Sequence, residues 1–82
     1  MIRSAAEMRV GERAVVAQVT GVDEVTARLM EMGLIPGVAL ELLGVAPLGD
    51  PLEYELRGYR LSIRRSEAQR VTLRMDGEGG AG

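Results

Sequence analysis

Two glutamates in the segment LEYELR are the residues of this chain whose spacing is best suited to chemistry. Glu53 and Glu55 lie two residues apart, so they share one side of a predicted strand. Such a pair could act as general acid and base, or could hold a hard cation. A solvated strand face is the simpler interpretation, because no neighbouring residue in the sequence indicates a pocket. We therefore expect no catalytic pair at this position.

The arginines that follow in the same stretch could bind an acidic partner. Arg57 and Arg60 are expected to pair across strands with the two glutamates, an interaction that contributes about 0.2–1 kcal/mol per pair. Arg64 and Arg65 have fewer acidic neighbours in the sequence, and we interpret them as candidate contacts with a partner.

Composition excludes most other chemistries. The chain has 82 residues with no His and no Cys, and all ten of its basic residues are arginine. The usual general base, the thiol nucleophile and the lysine of a P-loop are therefore absent. We expect no enzyme, no cofactor and no selective transition-metal site, since carboxylates alone are a poor match for such ions. The net charge of −2 and the two aromatic residues also argue against nucleic acid as a partner.

The length predicts one domain with an aliphatic core, over residues 1–76. The tail GEGGAG, residues 77–82, can bury nothing and is expected to be disordered. No segment has the length and hydrophobicity of a membrane span or a signal peptide. We therefore predict a soluble, cytoplasmic protein with no lipid anchor of its own.

Hydrophobic periodicity predicts five short strands and one convincing helix. The helix is expected between Asp23, which is suited to N-capping, and Gly33, which is suited to the left-handed position after a helix. A hairpin turn is placed at Gly58 and Tyr59, with glycine at the first central position of a type II′ turn. The predicted fold is mainly β: a small SH3-like five-stranded barrel with one α-helix inserted after the first strand.

The helix and the loops carry more apolar residues than one buried face needs. Leu29 and Met32 belong to the stripe that faces the core, whereas Met30 lies off that stripe, and Ile35 and Leu48 fall in turns. Packing under loops would account for each of them singly. Together they indicate an exposed apolar patch of the kind that marks a protein interface.

Three segments, in this order and spacing, resemble the FeoA family, ferrous iron transport protein A. They are RLMEMGLIPG at the end of the helix, the loop APLGDP and the hairpin return RGYRLSIRRSEA. The resemblance extends from GERAVV to VTL, nearly the whole chain. It implies a small cytoplasmic SH3-like protein without catalytic activity. Such a protein acts on FeoB, a membrane ferrous-iron transporter with a cytosolic GTP-hydrolysing domain.

The resemblance also implies that the helix and the adjacent loop form the surface that binds FeoB. With the two arginines above, the expected partner contacts are Leu29, Met30, Met32, Leu34, Ile35, Pro47, Leu48, Asp50, Tyr59, Arg64 and Arg65. The protein would be cytoplasmic, and any position at the inner membrane would come through its partner.

An alternative function is a self-associating or peptide-binding SH3-like module of a metal-dependent transcriptional regulator. Homologous modules occur as C-terminal domains of such repressors, which is what the resemblance contributes to this alternative. Polyproline recognition is disfavoured, because its groove is lined by aromatic residues that this chain lacks. Dimerisation, through an open strand edge or through the methionine-rich patch, is left open.

Overall fold

Six antiparallel strands form one sheet in the computed structural model, which describes residues 2–75. The strands are β1 (Ile2–Ser4), β2 (Arg13–Val19), β3 (Ala39–Val45), β4 (Leu52–Leu56), β5 (Tyr59–Ile63) and β6 (Val71–Met75). Their order across the sheet is β1-β6-β2-β3-β4-β5. Within the described residues the two edge strands, β1 and β5, do not pair with each other, so the sheet is not closed into a complete barrel.

The predicted mainly β fold is confirmed, but there is one strand more than the sequence indicated. The extra strand is β1, which pairs with β6 along its whole length. With only three residues it is too short for an alternating pattern to be recognised. The predicted disordered tail, residues 77–82, lies outside the described residues.

Within residues 2–75, three helical segments connect the strands. They are a 3₁₀ turn (Ala5–Glu7), helix α1 (Glu24–Glu31) and helix α2 (Arg65–Ala68). Helix α1 therefore follows the second strand rather than the first, as a consequence of β1. Helix α2 is a single α-helical turn of four residues.

Both ends of α1 are fixed as the sequence predicts. Asp23 accepts a hydrogen bond from the Thr26 N–H at 3.2 Å, and an Arg70 Nη1 lies 2.6 Å from the same carboxylate oxygen. The Arg70 hydrogen bond and the Thr26 N–H lower the pKa of Asp23. At the other end Gly33 has a φ of 108°, and the Leu34 N–H donates to the Leu29 carbonyl at 3.2 Å. This 6→1 hydrogen bond closes a Schellman motif.

The β4–β5 hairpin turns at Arg57 and Gly58, one residue earlier than predicted. Both residues have positive φ, 52° and 86°, which defines a type I′ turn. Leu56 pairs with Tyr59 directly across it. The predicted type II′ turn was wrong, because the non-glycine residue Arg57 adopts the left-handed conformation that the sequence assigned only to glycine.

Alternate residues of the central strands pack into one aliphatic core, as the period of two predicts. Its largest fully buried members are Leu29, Leu34, Leu40, Leu42, Leu52, Leu56, Leu73, Val16, Val71 and Tyr54. The Tyr54 hydroxyl donates to the Ala5 carbonyl at 2.8 Å, so the one buried phenol is satisfied and ties β4 to the 3₁₀ turn. Burial raises the pKa of Tyr54.

Candidate binding surface

A groove of about 560 Å³ lies where α1, β5, α2 and the loop 46–51 meet, and we call it the docking groove. It is lined by Arg28, Met32, Asp50, Pro51, Ser62, Ile63, Arg64 and Glu67. The lining residues come from three separate parts of the chain, residues 28–32, 50–51 and 62–67, so the sheet topology and the helix packing bring them together. Three of these residues, Met32, Asp50 and Arg64, were predicted to contact a partner.

Tyr59 fixes the start of β5 against the end of α1. Its hydroxyl donates to the Met32 carbonyl, and its ring is about half exposed. A Cβ on Gly33 would collide with that hydroxyl. Glycine is therefore required at this position for two reasons: the backbone has a positive φ, and the Tyr59 hydroxyl occupies the space that a Cβ would need.

The side chain of Arg65 holds the loop 46–51 in place. Its Nε and Nη2 donate to the Gly49 carbonyl at 3.2 and 3.1 Å, and its Nη1 donates to the Ala6 carbonyl at 3.1 Å. The guanidinium fork thus links the loop to the 3₁₀ turn near the other end of the chain. Arg65 stabilises the surface from behind, since three of its guanidinium N–H donors are engaged within the fold.

Asp50 and Glu67 are both engaged by the first turn of α2. The Asp50 carboxylate accepts from the Arg65 N–H at 2.8 Å, and Glu67 accepts from the Arg64 N–H at 2.9 Å. Glu67 also forms an ion pair with Arg28 across the groove. Each carboxylate therefore satisfies a backbone donor that the short helix would leave unpaired.

Arg64 differs from its neighbour Arg65 in having its side chain exposed. Among residues 2–75, no carboxylate lies within ion-pair distance of its guanidinium. Of the two arginines predicted as contacts, this one is available to a partner.

Two of the predicted contacts are in the core. Leu29 and Leu34 are fully buried, because they form the hydrophobic contact of the Schellman motif beneath the surface. They support the surface but cannot touch a partner, so this part of the prediction is corrected.

The other predicted apolar contacts are accessible to different degrees. Leu48 is 97% exposed at the tip of the loop and Met30 is 43% exposed on α1. Pro47 is also exposed, whereas Ile35 is only partly exposed and packs against the core.

Sequence reasoning missed five residues of the docking groove. They are Arg28, Pro51, Ser62, Ile63 and Glu67. Arg28 could have been found, since it lies four residues before Met32 and therefore on the same side of α1. The others are brought to the groove by the loop 46–51, β5 and α2, whose positions relative to α1 are not encoded in any local spacing.

Two further observations concern metal binding and membrane spans within residues 2–75. No group of three or more His, Cys, Asp or Glu residues within the described part of the chain is placed to hold a metal ion. In the same part of the chain, no helix is long and apolar enough to cross a membrane.

These features define a small SH3-like β module with an accessible groove formed by its helix, its edge strand and a tethered loop. The chain belongs to the FeoA family: the FeoA domain model matches residues 4–75. The resemblance seen in the sequence is thereby confirmed, and the family is associated with ferrous iron transport.

Three relatives place the chain within this family. A fusion protein of Fe(2+) transport protein A and the Fe(2+) transporter FeoB, from Porphyromonas gingivalis, is 32% identical over 69 residues, which are 84% of this chain and 8% of that protein. The chain thus spans less than a tenth of that relative. The solution structure of FeoA from Chlorobium tepidum is 40% identical with a TM-score of 0.81, over 88% of this chain and 69% of that one.

The third relative is FeoA from Stenotrophomonas maltophilia in complex with zinc, described as a prokaryotic SH3 domain protein. It is 29% identical with a TM-score of 0.77, over 87% of this chain and 88% of that one. This likeness supports the SH3-like description of the fold.

Proposed function

We propose that this protein is a non-catalytic, cytoplasmic accessory protein of ferrous iron uptake that binds a FeoB-type transporter on its cytosolic side. The main support for this proposal is the relative from Porphyromonas gingivalis, in which a homologous segment is fused to FeoB. Fusion in one chain maintains two domains at a high effective concentration, which benefits domains that act together. Any position at the inner membrane would come through this partner.

The docking surface consists of those predicted contacts that are fully or partly exposed. Its members are Met30, Met32, Ile35, Pro47, Leu48, Asp50, Tyr59 and Arg64. Leu48 and Met30 supply the apolar contacts, and methionine adapts its shape to a partner at little cost. Apolar anchors surrounded by polar groups are the usual arrangement in protein interfaces.

The loop 46–51 is held in place by hydrogen bonds, which favours its binding to a partner. Arg65 donates from its side chain to the Gly49 carbonyl and from its backbone N–H to the Asp50 carboxylate, and these hydrogen bonds hold the loop before any partner arrives. A loop already in its bound conformation loses less conformational entropy on association. Arg64 at the rim would orient an acidic region of the partner and raise the association rate.

The test is binding of the purified protein to the FeoB of the same organism, with the cytosolic part and the detergent-solubilised transporter immobilised separately. Leu48→Asp and Met30→Asp are expected to weaken binding to one of them by at least about tenfold, since a charge would enter an apolar contact. Val10→Asp is the matched control, because Val10 is 62% exposed but outside the docking surface.

Two results would overturn the proposal. One is no association with either part of FeoB. The other is association that both aspartate variants leave unchanged although their melting curves show them to be folded.

A further inference from the structure

Strand β5 has an open edge. The two-residue turn makes Leu56 and Tyr59 a hydrogen-bonded pair, so alternate residues of β5 direct their backbone groups to β4. The backbone N–H and C=O groups of Arg60 and Ser62 therefore point away from the sheet. No hydrogen bond outside the strands uses them in the described part of the chain. An edge of this kind is a template for a further strand.

The docking groove lies beside this edge, because Ser62 and Ile63 of β5 line it. A second groove of about 270 Å³ lies on the other side of Ser62 and is lined by residues of β3 and β4. Strand β4 separates β3 from the open edge, so this second groove is out of reach of an added strand. Side chains of a strand added beside β5 would alternate between the two faces, so every second one would point to the side of the docking groove.

The charges around the edge favour an acidic strand. Residues 57–64 contain three arginines and no acid. Of the two carboxylates in the docking groove, Glu67 is paired with Arg28, and Asp50 accepts from the Arg65 N–H. Arg60 is 72% exposed, and its nearest carboxylate is 3.9 Å away. Among residues 2–75, no carboxylate lies within ion-pair distance of Arg64. An acidic strand at this edge would therefore meet two accessible arginines four residues apart.

A second copy of this chain fits the edge poorly. An antiparallel pair of β5 strands centred on Ser62 would place Arg60 of each copy opposite Arg64 of the other. Like charges directly opposite each other destabilise a pair of strands. Arginines on an edge strand are also a known means of suppressing self-association.

We propose that the β5 edge binds an extended segment of the partner protein by strand addition, and that this segment alternates acidic residues with small β-branched ones. Acidic side chains would lie beside Arg60 and Arg64, and the β-branched residues between them would favour the extended conformation. This inference rests on the proposed function, because it describes how the partner is bound.

A synthetic peptide separates this inference from the identity of the partner. The probe is acetyl-Glu-Val-Glu-Val-Glu-Val-amide, titrated into isotope-labelled protein and followed by NMR. The amide protons of Arg60 and Ser62 are expected to shift downfield and to become protected from exchange. The corresponding Lys-Val peptide is expected to bind at least about tenfold more weakly, since it places cations beside Arg64. Equal binding of the two peptides, or no change at these two amides, would overturn the inference.

Two further reagents test the backbone hydrogen bonds directly. A peptide N-methylated at alternate residues keeps its charge but loses its donors, and it is expected to bind at least about tenfold more weakly. Ser62→Pro removes an outward N–H at a position where an edge strand tolerates proline, and Ser62→Ala is its matched control. If Ser62→Pro does not fold, the methylated peptide still decides: unchanged affinity would contradict strand addition.

Binding of FeoB to the same variants distinguishes the two proposals. Loss of FeoB binding in Ser62→Pro, with binding retained in Ser62→Ala, would support both. Full binding in folded Ser62→Pro, together with loss in Leu48→Asp, would refute strand addition and leave the proposed function intact. No FeoB binding by the unaltered protein, combined with specific binding of the peptide, would refute the proposed function alone.

Discussion

The two edge strands of the sheet each carry an arginine, and the two side chains differ in their contacts within the fold. At the β1 edge, Arg3 lies 3.2 Å from one oxygen of Glu12 and 3.4 Å from the other, and it also donates to the Glu7 carbonyl. At the β5 edge, the side chain of Arg60 is 72% exposed and its nearest carboxylate, on Glu53, is 3.9 Å away. Arg3 is therefore bound within the fold, whereas Arg60 is accessible to a partner.

The difference indicates which edge is structural and which is suited to binding. Strand β1 has three residues and leads directly into the 3₁₀ turn, so it offers little length for pairing. Strand β5 has five residues, with the docking groove beside its C-terminal half. A long edge with accessible donors and acceptors is the one at which another chain can add a strand.

The largest expected effect tests whether one core supports both edges. Leu56 lies beside β5 and Leu73 lies opposite Arg3 of β1, and both are fully buried. Leu56→Ala and Leu73→Ala should each lower the free energy of unfolding by about 2–5 kcal/mol, measured by urea denaturation. A melting curve that either substitution leaves unchanged would contradict the shared core.

The next effect separates the two adjacent arginines. Arg65→Met should lower the free energy of unfolding by about 1.5–3 kcal/mol, because the Gly49 and Ala6 carbonyls lose charged donors while the apolar stem is kept. Arg64→Met should change it by less than about 0.5 kcal/mol, since the side chain is exposed. Equal effects in urea denaturation would show that the assignment of Arg65 as the structural arginine is wrong.

A smaller effect is expected where β5 meets α1. Gly33→Ala should cost about 1–3 kcal/mol, because it forces a side chain into positive φ and towards the Tyr59 hydroxyl. Gly44→Ala is the control, since a Cβ there meets nothing within 4 Å. Thermal melts of Gly33→Ala in a Tyr59→Phe background should show a smaller loss than in the parent chain. The same loss in both backgrounds would mean that the hydroxyl contact contributes nothing.

The smallest effect is a pH dependence at the β1 edge. The hydrogen bond from the Arg9 N–H, at 2.6 Å, and that from Arg3 lower the pKa of Glu12 below its ordinary value of 4.5. Glu12 therefore contributes stability above that value, and the contribution is lost as the pH falls through the lowered pKa of the folded state. Below about pH 5, the melting temperature of Glu12→Gln should fall less steeply with falling pH than that of the unaltered protein. Arg3→Met should show part of the same change. Parallel curves for all three proteins would contradict this.

Much of the fold can be predicted from local patterns. The alternation of LEYELR identifies β4, and Asp23 and Gly33 mark the ends of α1, because strand and helix geometry repeat every few residues. Strand β1 and the turn at Arg57 escape such reasoning. The first is too short for a pattern, and the second depends on a left-handed conformation that the neighbouring strands impose on arginine.

The binding surface is less predictable, and the two adjacent arginines show why. By itself the sequence determines that both are charged and close to the hairpin, and that Leu48 and Met30 are more apolar than turns and helix surfaces require. Only the tertiary structure decides that Arg65 donates to the carbonyl of Ala6, 59 residues away, while Arg64 remains accessible. Residue spacing records neighbours on the same element, whereas the role of a long side chain depends on which distant backbone the fold brings within hydrogen-bonding distance.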